Sequence, residues 1–355
     1  MNFTFRGKRI SGNLVVVPEN ERSFVEDMGS FNFPEARSLK LKEVMGFDKR
    51  RVVKPGVCVS DLAVFGMRHL FQEGLLRPEE VDALLLVTQT PDHFMPATSS
   101  IIQGRLGLKQ DMLCQDINQA CAGYVIGLMQ AFLLLEQESV RKVVLINADV
   151  LSRKVSPKDR NIYPLIGDAA SITIVERDVQ DSIIHASLKS DGSRAQALII
   201  PAGGLRLPST PETAVLEDVG DNNLRAKDHV FMDGSMIFNF VQTDVPPLIE
   251  GLLARAGISI EAVDCFLCHQ PNQFMVRKLA DKMKIPYAKL PNNVTEHFGN
   301  NGSATIPTVM AFNLRERLLR ERLLVCLSGY GGGLTWAAML LKLGKLSYNN
   351  IIEYK

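Results

Sequence analysis

Tryptophan is nearly missing from this chain: Trp336 stands alone in 355 residues. Excess charge is missing too. Lys+Arg total 40 against 39 Asp+Glu, a net charge of +1, which gives no reason to expect a nucleic-acid partner. No apolar run reaches the roughly 20 residues of a membrane helix. The longest apolar stretch, Tyr124 to Gln137, carries Gln130 and ends in charge; it reads as a buried core helix. The N-terminus has neither the apolar run nor the small-residue cleavage pattern of a secretory signal. Six cysteines are ordinary for a cytosolic protein. Five of them (Cys58, Cys114, Cys265, Cys268 and Cys326) sit in or beside apolar segments, where free thiols pack as small hydrophobes. A cytoplasmic protein with no membrane association is expected.

What is present is an alternation of helical and strand patterns. Apolar residues make up 46%, enough for a sizeable core. The length suits two similar halves, or one large α/β unit with an insertion. In the first half the pattern predicts a helix from Val59 to Gln72, begun by Ser60 and Asp61, and a strand from Asp82 to Gln89. It predicts a helix from Ser99 to Leu106 stopped by Gly107, an extended run from Met112 to Ile117, and strands at Lys142 to Asn147 and Ala170 to Val175. The second half repeats the plan: a strand at Asp264 to Cys268, helices at Asn272 to Lys282 and Ile306 to Leu318, and a strand at Leu323 to Leu327. Such continuous apolar strands imply sheets covered on both faces by helices. The expected division is 1–176, a connecting or insertion region at 177–228, and 229–355. The terminal LSYNNIIEYK reads as a peripheral tail.

One segment suggests chemistry directly. From Asp116 to Tyr124 an extended run ends, small residues cluster, and a helix begins around Cys121. Unpaired N–H groups at a helix start favour thiolate. Ala120, Ala122 and Gly123 leave room for an incoming chain. A thiolate suits acyl transfer from another thiol, because one thioester is exchanged for another of similar energy. Taken alone, such a cysteine is more often a packed core residue.

Ala-Cys-Ala-Gly at Cys121 resembles the nucleophile turn of the ketoacyl synthase III family, in the thiolase superfamily. Cys268-His269-Gln270-Pro271-Asn272, the run from Phe298 to Pro307 and Gly331-Gly332-Gly333-Leu334-Thr335-Trp336 fall in the family's order. So do Thr90-Pro91-Asp92, Asp159-Arg160, Leu165 to Ala169, and Met232-Asp233-Gly234, and the resemblance spans roughly residues 40 to 340. It implies an α/β, thiolase-like five-layer αβαβα fold of two fused similar halves, and a homodimer. It implies no permanently bound cofactor, but substrates carried on the phosphopantetheine of coenzyme A or acyl carrier protein. The implied reaction loads an acyl group onto Cys121, then condenses it with a decarboxylating malonyl thioester to give a 3-oxoacyl product, in fatty acid, polyketide or other lipid metabolism.

The resemblance gives His269 and Asn300 the task of donating to the thioester carbonyl as carbon dioxide leaves. It gives the N–H groups of Cys121 and Gly332 an oxyanion hole. Read without it, His269 is equally a satisfied core histidine, Asn300 a turn residue, and Gly332 a tight-turn glycine. Asn272 is expected to orient His269 or cap the following helix. Met95 corresponds to a residue that reaches across the dimer into the other subunit's acyl pocket. Departures also stand out. There is no Trp from Ser38 to Arg51, and Phe274 replaces an arginine, although Arg160 is kept. This leaves coenzyme A or a carrier protein open as donor. Lys49-Arg50-Arg51 and Arg160 are expected either to be solvated or to meet acidic carrier protein or phosphate.

Other signals carry little. Cys265-Phe266-Leu267-Cys268-His269 matches a haem attachment pattern, but cysteines three apart in a strand point to opposite faces; no haem or metal is expected. No glycine cluster has the dinucleotide-binding context. The remaining readings are a non-decarboxylating acyltransferase of the same fold and a non-catalytic dimeric partner.

Overall fold

A computed structural model describes residues 1–180 and 182–355. Its main strands are β1 (Asn2–Arg6), β2 (Lys8–Pro18), β3 (Ala83–Val87), β4 (Leu113–Ile117), β5 (Lys142–Asp149) and β6 (Ala169–Arg177). They continue with β7 (Ile183–Ser190), β8 (Cys265–Cys268), β9 (Arg322–Gly331), β10 (Thr335–Gly344) and β11 (Asn349–Tyr354). One sheet has the order β11-β2-β6-β5-β3-β4, the other β1-β7-β10-β9-β8.

Alternation along the strands sets the layers. On β5, Val143 and Leu145 join a core shared by both sheets, while Val144, Ile146 and Ala148 face outward onto the helices Val59–Gln72 and Thr98–Leu106. The shared core holds the helices Gly123–Leu134 and Thr305–Asn313. The outer face of the second sheet is covered by Gly234–Thr243, Val245–Ala256 and Gln273–Met283. The result is five layers, αβαβα. A helix clamped between two sheets has no polar face. Gly123–Leu134 accordingly buries Tyr124, Val125, Leu128 and Phe132 completely, each worth about 1.5–3 kcal/mol if apolar burial is full.

The structure corrects several expectations from sequence. The helix Val59–Gln72 is begun by Cys58, whose N–H donates to the Asp61 carboxylate at 2.8 Å, and Ser60 lies inside it. The single helix expected from Ile306 to Leu318 is two, Thr305–Asn313 and Arg315–Arg320, because Leu314 leaves helical geometry (φ −122°, ψ 17°). The expected peripheral tail is core. β11 pairs in parallel with β2, Asn349 donates to Met310 O at 2.8 Å, and Leu346 and Tyr348 are buried. The stretch expected to connect the halves opens with β7, which lies between β1 and β10. Cys265 and Cys268 do face opposite cores, as strand geometry requires. Among the described residues, no helix is long and apolar enough to cross a membrane, and no cluster suited to a metal ion is found.

Candidate active site

The nucleophile turn follows β4. Ala120 takes φ 43°, a left-handed conformation that costs a residue with a Cβ about 1 kcal/mol. A short 3-10 turn, Ala120–Ala122, then presents Cys121, and the α-helix starts only at Gly123. β9 passes close behind. A Cβ on Gly329 would lie 3.0 Å from the Cys121 carbonyl oxygen, and one on Gly331 only 2.9 Å from Cys121 Cβ. Only glycine permits that approach.

Cys121 opens into a cavity of about 900 Å³. Its resting form is the thiol. Burial pushes its pKa up to about 12 and the Asp149 carboxylate adds to this, against the hydrogen bond of its own backbone. Burial thus works against the thiolate expected at a helix start, and the turn around Cys121 is not yet an α-helix.

His269 follows β8 directly. Its N–H donates to Ser328 O at 2.8 Å, and its carbonyl accepts from Tyr330 Oη at 2.7 Å, so both ends are tied to β9. The ring is buried, Nδ1 has no hydrogen-bond partner, and burial pushes its pKa down to about 3 against the pull of the Gly302 backbone. The imidazole is therefore neutral.

Asn300 sits in a loop pinned to residues 165–167: its N–H donates to Leu165 O at 2.7 Å, and Gly167 N–H donates to its carbonyl at 3.1 Å. The pinning segment is itself held by Arg50, which donates to Ile166 O at 3.0 Å and pairs with buried Asp27 at 2.8 Å. Asn300 Oδ1 accepts from Gly302 N–H at 2.9 Å, so the Nδ2 end remains for the cavity that Asn300 lines. The turns bearing Cys121 and Gly302 pack together. One place thus gathers a thiol, a neutral imidazole and an amide donor.

Other sequence-predicted residues fall elsewhere. Asn272 caps the next helix, its Oδ1 accepting from Met275 N–H at 2.8 Å, and makes no bond to His269. Phe274 stacks on Phe238, 5.7 Å between ring centroids. Gly332 lies beside Ala120 in the hairpin that follows Gly331. Met95 is 83% exposed and Phe94 84%, at the rim of the cavity, which Phe94 lines. Of the basic residues, Lys49 stays exposed at 47%, and Arg50, Arg51 and Arg160 are largely enclosed. Arg160 is 9% exposed, its guanidinium lies 4.0 Å over the Phe33 ring, and it donates to Asp221 O. Lys49, Arg50 and Arg51 pair with Glu21, Asp27 and Glu353 respectively, from a short strand that runs antiparallel to residues 21–23. Sequence reasoning missed Gln89 and Asp149, and it named Gly331 only as part of the glycine loop. The usable signal for Asp149 was its place at the end of an apolar strand.

The sequence model for 3-oxoacyl-[acyl-carrier-protein (ACP)] synthase III matches residues 115–192, and that for the family's C-terminal part matches 253–343. A Campylobacter jejuni relative, provisionally named 3-oxoacyl-[acyl-carrier-protein] synthase 3, is 31% identical over 100% of this chain and 99% of its own. The Lactococcus lactis beta-ketoacyl-[acyl-carrier-protein] synthase III is 32% identical over 83% of this chain and 88% of its own. The crystal structure of a Burkholderia xenovorans LB400 3-oxoacyl-(acyl-carrier protein) synthase superposes with a TM-score of 0.92, at 30% identity, over 100% of this chain and 99% of that one. With its thiolase-like αβαβα fold, this chain belongs to the ketoacyl synthase III family of condensing, acyl-transferring enzymes.

Proposed function

We propose that the chain carries out acyl transfer to Cys121 followed by decarboxylative Claisen condensation with a malonyl thioester. The observation that carries this reading is the convergence of the Cys121 thiol, neutral His269 and the Nδ2 end of Asn300 around Gly302. Cys121 Sγ attacks the donor's thioester carbonyl, and the carrier thiol leaves with the proton that Cys121 gives up. The malonyl thioester then binds and its C–C bond to the carboxylate breaks. The electron pair becomes an enolate whose oxygen is held by His269 and Asn300. That carbon attacks the acyl-Cys121 carbonyl, with the N–H groups of Cys121 and Gly332 on the oxyanion. The C–S bond breaks, and the Cys121 thiolate takes a proton from solvent.

The pocket supports a primer longer than acetyl, since Ile162, Leu165, Ile166, Leu198, Ile200 and Met232 line it. Arg160, stacked on Phe33 and bonded to Asp221, is committed within the chain, which favours an acyl group delivered on carrier protein over one on coenzyme A. The exposed Phe94 and Met95 support a homodimer whose partner covers this rim, with Met95 in the partner's pocket.

The test is a single-turnover comparison of Cys121 acylation with carbon dioxide release. Asn300→Ala is expected to acylate normally and to release carbon dioxide about a hundredfold more slowly. Release at the wild-type rate overturns the condensation mechanism. Product formed without any release identifies a non-decarboxylating acyltransferase instead.

A further inference from the structure

Asp149 takes no part in the chemistry set out above, yet its carboxylate is densely bonded. Oδ1 accepts from Gln89 N–H at 2.7 Å and from the hydroxyls of Thr88 and Thr90 at 3.3 Å each; Oδ2 accepts from Gln89 Nε2 at 2.9 Å. The side chain is on the site side of β5, because Asp149 continues the Val143, Leu145, Asn147 face into the layer between the sheets. It is 2% exposed. All four of these donors are neutral. A carboxylate buried with neutral donors alone is expensive, and an apolar or amide side chain would fill the place without that penalty.

Its neighbours are the site. A Cβ on Gly302 would lie 2.8 Å from Asp149 Oδ2 and 3.4 Å from Gln89 Nε2, so the Gly302 backbone rests directly on this pair. Gly302 has φ 58°, and its N–H is the group that holds Asn300 Oδ1. Gln89, Thr90, Gly302, Asn300 and Cys121 line the same cavity.

We propose that Asp149 is a positioning residue of the condensation step: it fixes the Gln89–Thr90 loop and the Gly302 backbone in one arrangement, and through Gly302 it aims the Asn300 amide at the malonyl thioester. This rests on the function proposed above. Cys121 acylation does not need Asn300, so Asp149 separates the two half-reactions.

The test uses the full-length enzyme with Asp149→Ala and Asp149→Asn. In single turnover, Asp149→Ala is expected to release carbon dioxide about a hundredfold more slowly, with the KM for malonyl thioester within about threefold of wild type and Cys121 acylation no slower than wild type, since loss of the carboxylate removes one of the influences that raise the thiol's pKa. Asp149→Asn keeps an acceptor for Gln89 N–H and the hydroxyls, and a flipped Gln89 amide meets its new donor; it is expected to restore most of the rate. Equal loss of acylation and decarboxylation in Asp149→Ala, or no loss of either, overturns the proposal. So does an Asp149→Asn enzyme that folds but is as slow as Asp149→Ala. Should Asp149→Ala fail to fold, Gln89→Leu takes its place, with the same selective loss expected. A second readout is independent of turnover. In protein labelled with ¹⁵N-asparagine, the Asn300 side-chain signal is expected to coincide in wild type and Asp149→Asn and to move or broaden in Asp149→Ala; an unmoved signal rejects the positioning role even if wild type releases no carbon dioxide. Absence of carbon dioxide release from acylated wild type rejects the condensation reading alone.

Discussion

Gly331 lies against Cys121 so closely that a Cβ on it would come within 2.9 Å of Cys121 Cβ, 3.1 Å of its nitrogen and 3.4 Å of its sulfur. The strand β9 is thus a wall built to the width of a hydrogen atom. Gly331→Ala must push the nucleophile turn away or tilt the thiol. The acylation rate, followed by intact-protein mass, is expected to fall by about a hundredfold, the typical penalty of an ångström-scale misplacement. Urea unfolding should show a loss of about 1–3 kcal/mol for overpacking. Unchanged acylation would show that the wall has slack.

A thiol raised to about 12 leaves little thiolate at neutral pH. Iodoacetamide alkylation of the Cys121 peptide is therefore expected to climb nearly tenfold per pH unit from about 7 to 10 without levelling. A plateau below pH 9 would mean that the resting thiolate is stabilised after all.

Two buried groups oppose one another in acid. His269 moves from an ordinary 6.5 down to about 3 on folding, so below 6.5 the unfolded chain takes a proton that the folded one refuses. Its effect is nil above that pH, and it destabilises by up to about 1.4 kcal/mol for each unit as pH falls toward 3. Asp149 is raised from 3.8 to about 6 by burial, against hydrogen bonds from Gln89, Thr88 and Thr90. The folded chain therefore holds its extra proton between about 3.8 and 6, and stability is recovered as pH falls through 6. Thermal midpoints measured between pH 7.5 and 5 are expected to fall less steeply for His269→Gln than for wild type. Parallel curves would show that His269 does not refuse the proton.

Residues 345–355 complete a sheet, and their removal should register as a core defect. Leu346 and Tyr348 are 4% and 8% exposed, and the Tyr348 ring occupies the space a side chain at Gly12 would need. Losing these two side chains alone is worth about 3 kcal/mol or more, and β2 is left as an open edge. A truncation ending at Gly344 is expected to shift the urea midpoint accordingly and to aggregate at concentrations the full chain tolerates. Wild-type behaviour would return the segment to the status of a tail.

Periodicity located strands and helices wherever burial was one-sided or complete, as in Val59–Gln72 and Lys142–Asp149. It failed at 346–355, because polar Ser347, Asn349 and Asn350 disguise a strand in which Asn349 bonds inward: Asn13 donates to Asn349 Oδ1 at 2.8 Å. Cys121, His269 and Asn300 were legible through short motifs at element ends. The thiol's protonation was not, since it depends on how much protein closes around the sulfur. Arg160 shows the same limit. Its position in a motif says nothing of Phe33, more than a hundred residues away, which lies against its guanidinium.

The exchange of strands between the two ends of the chain sets a clock on synthesis. The sheet that leads to Cys121 is finished by residues 349–354, while its partner strand β2 ends at Pro18. At ribosomal speeds of about 5–20 residues per second, that edge stays unpaired for roughly 20–70 seconds. β1 waits a shorter time for β7, and β7 in turn waits for β10. Neither sheet is therefore complete on a nascent chain that stops short of the second half. The cysteine turn, built early, acquires its wall at Gly331 only when more than nine-tenths of the 355 residues have emerged. A chain interrupted before that point carries the nucleophile without the geometry that makes it one.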